Sequence, residues 1–124
     1  MNELKFPEKF LFGTAVASYQ VEGGIYNNDW TIWENKYNSV CIETCNEACK
    51  HYEMLDQDIE LLKELGIKAF RFSIEWSRIE PTEGNYDTDA INHYVEKAKK
   101  LIANNITPIT VSYTHLTLPT TTIV

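Results

Sequence analysis

Three short apolar runs, at residues 10–17, 67–74 and 106–111, alternate with two long stretches of helical periodicity, and no hairpin signal joins them. Strands that alternate with helices lie parallel and are linked by right-handed crossovers. The chain is therefore expected to be α/β, an open sheet or part of a barrel. The first run, Phe10-Leu11-Phe12-Gly13-Thr14-Ala15-Val16-Ala17, is nearly continuous and ends in small residues. It suits a buried strand whose end approaches something closely. Helical spacing begins near residue 46, where Tyr52, Leu55, Ile59, Leu62 and Leu65 recur at steps of three and four, and Gly66 stands where a C-cap belongs. Residues 87–105 form the second long helix, capped by Asp87 or Thr88, with an apolar stripe of Ile91, Tyr94, Val95, Ala98, Leu101 and Ile102. Between the first strand and the first long helix, Gly23-Gly24 and Asn27-Asn28-Asp29 mark a loop. Asp29 is a candidate N-cap for a short helix through Trp30 and Trp33.

The 124 residues amount to about half of the roughly 250 that a (β/α)8 barrel needs. A net charge of −7 argues against nucleic acid and against an anionic membrane surface, both of which call for a basic face. The first residues carry neither a basic start nor an apolar signal core, and no run approaches the ~20 apolar residues of a membrane helix. Cys41, Cys45 and Cys49, an odd number, read as free thiols in a reducing cytoplasm. Their spacing of four would put them on one helix face, but three thiolates lack a fourth ligand for zinc, so no metal and no cofactor are expected.

In a parallel barrel, function gathers just after the strands. After the first strand comes Ser18-Tyr19-Gln20-Val21-Glu22-Gly23-Gly24. The side-chain amide of Gln20 can donate to one sugar hydroxyl and accept from its neighbour, or it can simply brace the loop. On the second strand, Phe70 and Phe72 share one face and Arg71 takes the other. A cation turned into a barrel needs a fixed carboxylate partner, and none is obvious in the chain; Glu22 or Glu75 could be borrowed. Glu22, Glu34 and Glu75 read as structural acids. Trp33 and Trp76 read as packing, and His51 and His93 as helix residues at the surface or with satisfied partners.

The segments FLFGTAVASYQVEGG (residues 10–24) and KELGIKAFRFSIEWSRIEP (residues 63–81) resemble glycoside hydrolase family 1. So do Ala48-Cys49-Lys50-His51-Tyr52, the TEGNYD turn at residues 82–87 and Asn105-Ile106-Thr107-Pro108. The likeness runs from about residue 6 to residue 109. It implies an incomplete (β/α)8 barrel: the first two βα units and the start of a third strand of a retaining β-glycosidase, β-glucosidase-like. Such enzymes use two carboxyl groups roughly 5–5.5 Å apart. In the family these follow strands four and seven, so the resemblance implies no catalytic residue within this chain. It also implies that Gln20 grips hydroxyls of the substrate sugar and that Arg71 holds the nucleophilic carboxylate. The implied partner is a small β-glycoside or oligosaccharide, with no nucleic acid and no membrane. A non-catalytic carbohydrate-binding module is the alternative.

After residue 109 the pattern departs. The family has a sugar-contacting His before an aromatic, whereas this chain has His115 in HLTLP, one residue out of register. A one-residue slip turns a strand's faces over. Residues 111–120 also back-translate into a transposon-end adapter of sequencing libraries, so residues 110–124 are expected to be a foreign tail, extended and weakly packed.

Overall fold

The computed structural model describes residues 5–36 and 40–113, with Tyr113 described in its backbone alone. The elements run β1 (Gly13–Ala15), α1 (Ser18–Val21), α2 (Asp29–Glu34), α3 (Leu55–Glu64), β2 (Ala69–Glu75), α4 (Trp76–Ile79), α5 (Thr88–Ala103) and β3 (Thr107–Tyr113). The sheet has order β1-β2-β3 with both pairings parallel. The two crossovers are carried by α3 and α5, as the alternation of runs implies. In register, Gly13 pairs with Ala69 and Ala15 with Arg71, while β2 pairs with β3 from Ala69↔Thr107 through Glu75↔Tyr113.

Both crossover helices end the same way. Gly66, at φ +70°, follows α3; its N–H donates to the Lys63 carbonyl and that of Ile67 to Leu62. Asn105, at φ +58°, follows α5, with its N–H on Ile102 and that of Ile106 on Leu101. These are paired Schellman closures, each with an Ile leading into the next strand. At the start of α5, Asp87 accepts from the N–H groups of Asp89 and Ala90. The cap of α2 is Asn28, which accepts from Thr31 N–H, rather than Asp29, which is the first helical residue.

The core lies between the sheet and the α3/α5 layer. Phe70 and Phe72 of β2 meet Leu55, Ile59 and Leu62 of α3 and Ala90, Tyr94 and Leu101 of α5. Three expectations are corrected. Helix α3 begins at Leu55, because Asn46, Ala48 and Lys50 take positive φ and break the path upstream. The cysteines therefore share no helix face, and His51 sits in the turn before the helix. The buried face of α5 is Ala90, Tyr94, Lys97 and Leu101, while Ile91, Val95 and Ile102 stay exposed on its flank. Finally, the first strand is short and exposed, because β2 is its only sheet neighbour among the described residues.

β1 and β2 approach closely at Gly13, where a Cβ would stand 2.6 Å from the Ala69 carbonyl oxygen. β3 continues to Tyr113, so residues 110–113 are paired strand; His115, Leu116 and Leu118 lie outside the described residues. No helix among the described residues is long and apolar enough to cross a membrane.

Candidate functional site

The C-terminal ends of β1 and β2 form one rim. Val16 N–H donates to the Arg71 carbonyl at 2.9 Å, and the chain then turns into α1, whose third residue is Gln20. Gln20 is exposed and lines a cavity of about 320 Å3 together with Tyr19, Trp30, Trp33, Glu34 and Cys45. Trp30 and Trp33 meet edge to face, with centroids 5.3 Å apart. The Glu34 carboxylate is held by the Tyr19 hydroxyl at 2.8 Å and by Cys45 N–H at 3.1 Å. Burial, with Glu34 adding to it, pushes the Tyr19 hydroxyl up to about 12 and raises the Cys45 thiol, so both keep their protons at neutral pH. An amide beside two indoles and a fixed carboxylate is a setting suited to a neutral, hydroxyl-rich ligand.

Arg71 is partly exposed and, by strand alternation, faces away from the α3/α5 layer in which Phe70 and Phe72 are buried. The acids expected as stand-in partners have other work. Glu22, 2% exposed, accepts from Arg78 Nε at 3.1 Å and from the Tyr94 hydroxyl at 2.9 and 3.0 Å. Glu75 accepts from the Ser18 and Ser77 hydroxyls at 2.8 and 2.7 Å. With Glu34 held by Tyr19 and the Cys45 N–H, each of the three acids has hydrogen-bond partners of its own within the fold. Trp76 donates to Glu80 at 2.8 Å and packs against the core, whereas Trp33 lines the cavity.

A second polar cluster was not legible as such in the sequence. Lys97, 2% exposed, donates to His51 Nε2 at 2.8 Å, and its ammonium lies 4.2 Å over the Phe72 ring. With Nε2 accepting, the imidazole proton sits on Nδ1 and faces Asp58 Oδ2 at 2.5 Å. Burial first and Lys97 second lower the His51 pKa, so the ring is neutral; burial also lowers Lys97 to about 8. The signal was the 94, 97, 101 spacing, which puts Lys97 on the same stripe as Tyr94 and Leu101. His93 stacks on Tyr52, with centroids 3.7 Å apart. Among the described residues, no three His, Cys, Asp or Glu side chains gather to hold a metal ion.

The family description "Glycosyl hydrolase family 1" matches residues 2–122. The chain belongs to this family. Beta-glucosidase A of Acetivibrio thermocellus is 37% identical over 96% of the chain and 28% of its own length, and Beta-glucosidase A of Thermotoga maritima is 39% identical over the same shares. Among solved structures, a β-glycosidase from Pyrococcus horikoshii superposes with TM-score 0.80 at 44% identity, covering 86% of this chain and 25% of that one. The Thermotoga maritima β-glucosidase solved with castanospermine gives 0.82 at 37%, covering 89% and 27%. The chain thus spans about a quarter of the length of the family 1 proteins it matches, and its parallel three-stranded sheet is a part of their barrel.

Proposed function

We propose that the protein is a retaining β-glycosidase, β-glucosidase-like, in which Gln20 binds hydroxyls of the substrate sugar and Arg71 holds the nucleophilic carboxylate. One geometric fact supports this most: Ala15 pairs with Arg71 in parallel register, so the Gln20 turn and the Arg71 strand end at the same rim. The amide can bridge two adjacent hydroxyls, donating to one and accepting from the other. A guanidinium beside a carboxylate favours its ionised form and fixes its plane, which a nucleophile attacking an anomeric carbon requires. The reacting pair itself, roughly 5–5.5 Å apart, has to come from elsewhere in the barrel, because Glu22, Glu34 and Glu75 are bound up in structural contacts. The partner is a small β-glycoside or oligosaccharide. Cys41, Cys45 and Cys49 are half-buried or exposed and form no disulfide, which suits a reducing compartment, so the cytoplasm is the proposed location.

The test is hydrolysis of an aryl β-glucoside by the full-length gene product, with the anomer of the first-formed sugar followed by NMR. Retention is expected, with a large loss on Arg71→Lys, and residues 1–124 alone should give no turnover. Turnover by residues 1–124 that Glu75→Gln abolishes would overturn the assignment of roles.

A further inference from the structure

Gln20 rides on a helix of only four residues, α1, which has no side-chain N-cap. One turn cannot hold itself in place, since helix nucleation is unfavourable until many bonds follow. Its position has to be imposed from outside, and two anchors do so. Before Gln20, Ser18 N–H donates to Ser73 Oγ and Ser18 Oγ to Glu75 Oε2. After it, His51 N–H donates to the Val21 carbonyl, and the buried Glu22 carboxylate is gripped by Arg78 and Tyr94. Arg78 also donates to the Gly23 carbonyl. The two anchors meet at one atom: the Tyr94 hydroxyl that donates to Glu22 also accepts from Glu75 N–H at 3.2 Å.

We propose that Glu22 is a positioning residue, whose carboxylate, clamped between Arg78 and Tyr94, sets where Gln20 presents its amide to the sugar. This rests on the glycosidase reading of the Gln20 cavity. Burial raises the Glu22 pKa, and Lys97, the Tyr94 hydroxyl and Arg78, reaching it from α5 and the segment after β2, pull it back in part. The loop is also packed tightly at its next residue. Gly23, at φ +76°, passes so close to Glu47 that a Cβ would stand 2.1 Å from its carbonyl oxygen. A hydroxyl-binding amide tolerates little displacement, and shifts of about 1 Å cost on the order of 100-fold in well-oriented sites.

The experiment uses the full-length gene product and three variants: Glu22→Gln, the milder Tyr94→Phe, which removes only one hydroxyl, and Gln20→Ala. Hydrogen exchange is read at the bonded amides of Gln20, Glu22 and Gly24, with Ile59 and Leu62 in α3 as the internal reference. Castanospermine is the binding probe. Tyr94→Phe should speed exchange at residues 20–24 about tenfold, the worth of one bond to a charged group, Glu22→Gln at least as much, and both should leave α3 at its wild-type rate. Tyr94→Phe should also weaken castanospermine about tenfold, and the double variant with Gln20→Ala should lose little more than Gln20→Ala alone. Unchanged exchange at residues 20–24, equal acceleration in α3, or additive losses in the double variant would each overturn the proposal. The glycosidase reading fails differently: Gln20→Ala would then leave castanospermine binding untouched, while the exchange arm still decides whether Glu22 clamps the loop.

Discussion

Strands β1 and β2 are hydrogen-bonded neighbours, each with phenylalanines on or just before it, yet they live in different surroundings. Phe70 and Phe72 on β2 are 4% and 1% exposed, because α3 and α5 close over their face and a strand lies along each edge. Every residue of β1 is exposed, and the aromatics beside it, Phe6, Phe10 and Phe12, remain 59%, 48% and 52% exposed while touching one another at 4.7–4.9 Å. The difference lies in the neighbours rather than in the side chains. Apolar surface stabilises at about 25 cal/mol per Å2 only when something is laid over it.

The largest effect expected from breaking this contrast comes from its buried side. Phe72→Ala should cost about 3–5 kcal/mol, from lost burial and the cavity left behind. That is a large part of a typical domain's about 5–15 kcal/mol, so urea melts followed by circular dichroism should shift strongly or lose cooperativity. Next is Gly23→Ala, at about 2–4 kcal/mol, because the new Cβ meets Glu47 in a left-handed conformation; the same melts read it.

A smaller effect sharpens the contrast through pH. His51 and His93 both have lowered pKa values, His93 at about 4, mainly through burial. Their folded values lie below the unfolded ~6.5, so the unfolded chain takes up protons first as pH falls. Stability should be fully present above pH 6.5 and decline toward pH 4, with Glu22, whose pKa is raised, opposing part of the loss. His93→Phe, which keeps a ring against Tyr52, should flatten that decline in melting temperature measured across the range. The smallest effect belongs to the open side: Phe12→Ala should cost under about 1 kcal/mol, the worth of an exposed aromatic contact. A cost equal to that of Phe72→Ala would erase the distinction between the two strands.

Much of the scaffold was legible in the residues. The strand and helix alternation, the Asp87 cap, the Gly66 closure and the facing of Phe70 and Phe72 all follow from spacings of one to five residues. Gln20 and Arg71 were legible as candidates for the same reason: they stand at the end of one strand and on the inner face of the next. The start of α3 was not, because the break at residues 46–50 is made by backbone turns with no Gly or Pro to announce them. Cavity residues such as Trp30 and Cys45 were also hidden, since nothing local says that they will share a wall with Gln20.

What the sequence by itself determined is therefore the three strands, the two long helices between them and their parallel order, all governed by interactions within a turn or a strand. Only the tertiary structure decided which stripe of α5 is buried, why Lys97 lies on it, and where the acids turn. Tyr94 and Glu22 are 72 residues apart, and Arg78 and Glu22 are 56 apart. No local periodicity encodes such a pairing. It exists because β1 and β2 bring the two loops to one rim, and because a carboxylate buried there must find its donors among whatever the fold delivers.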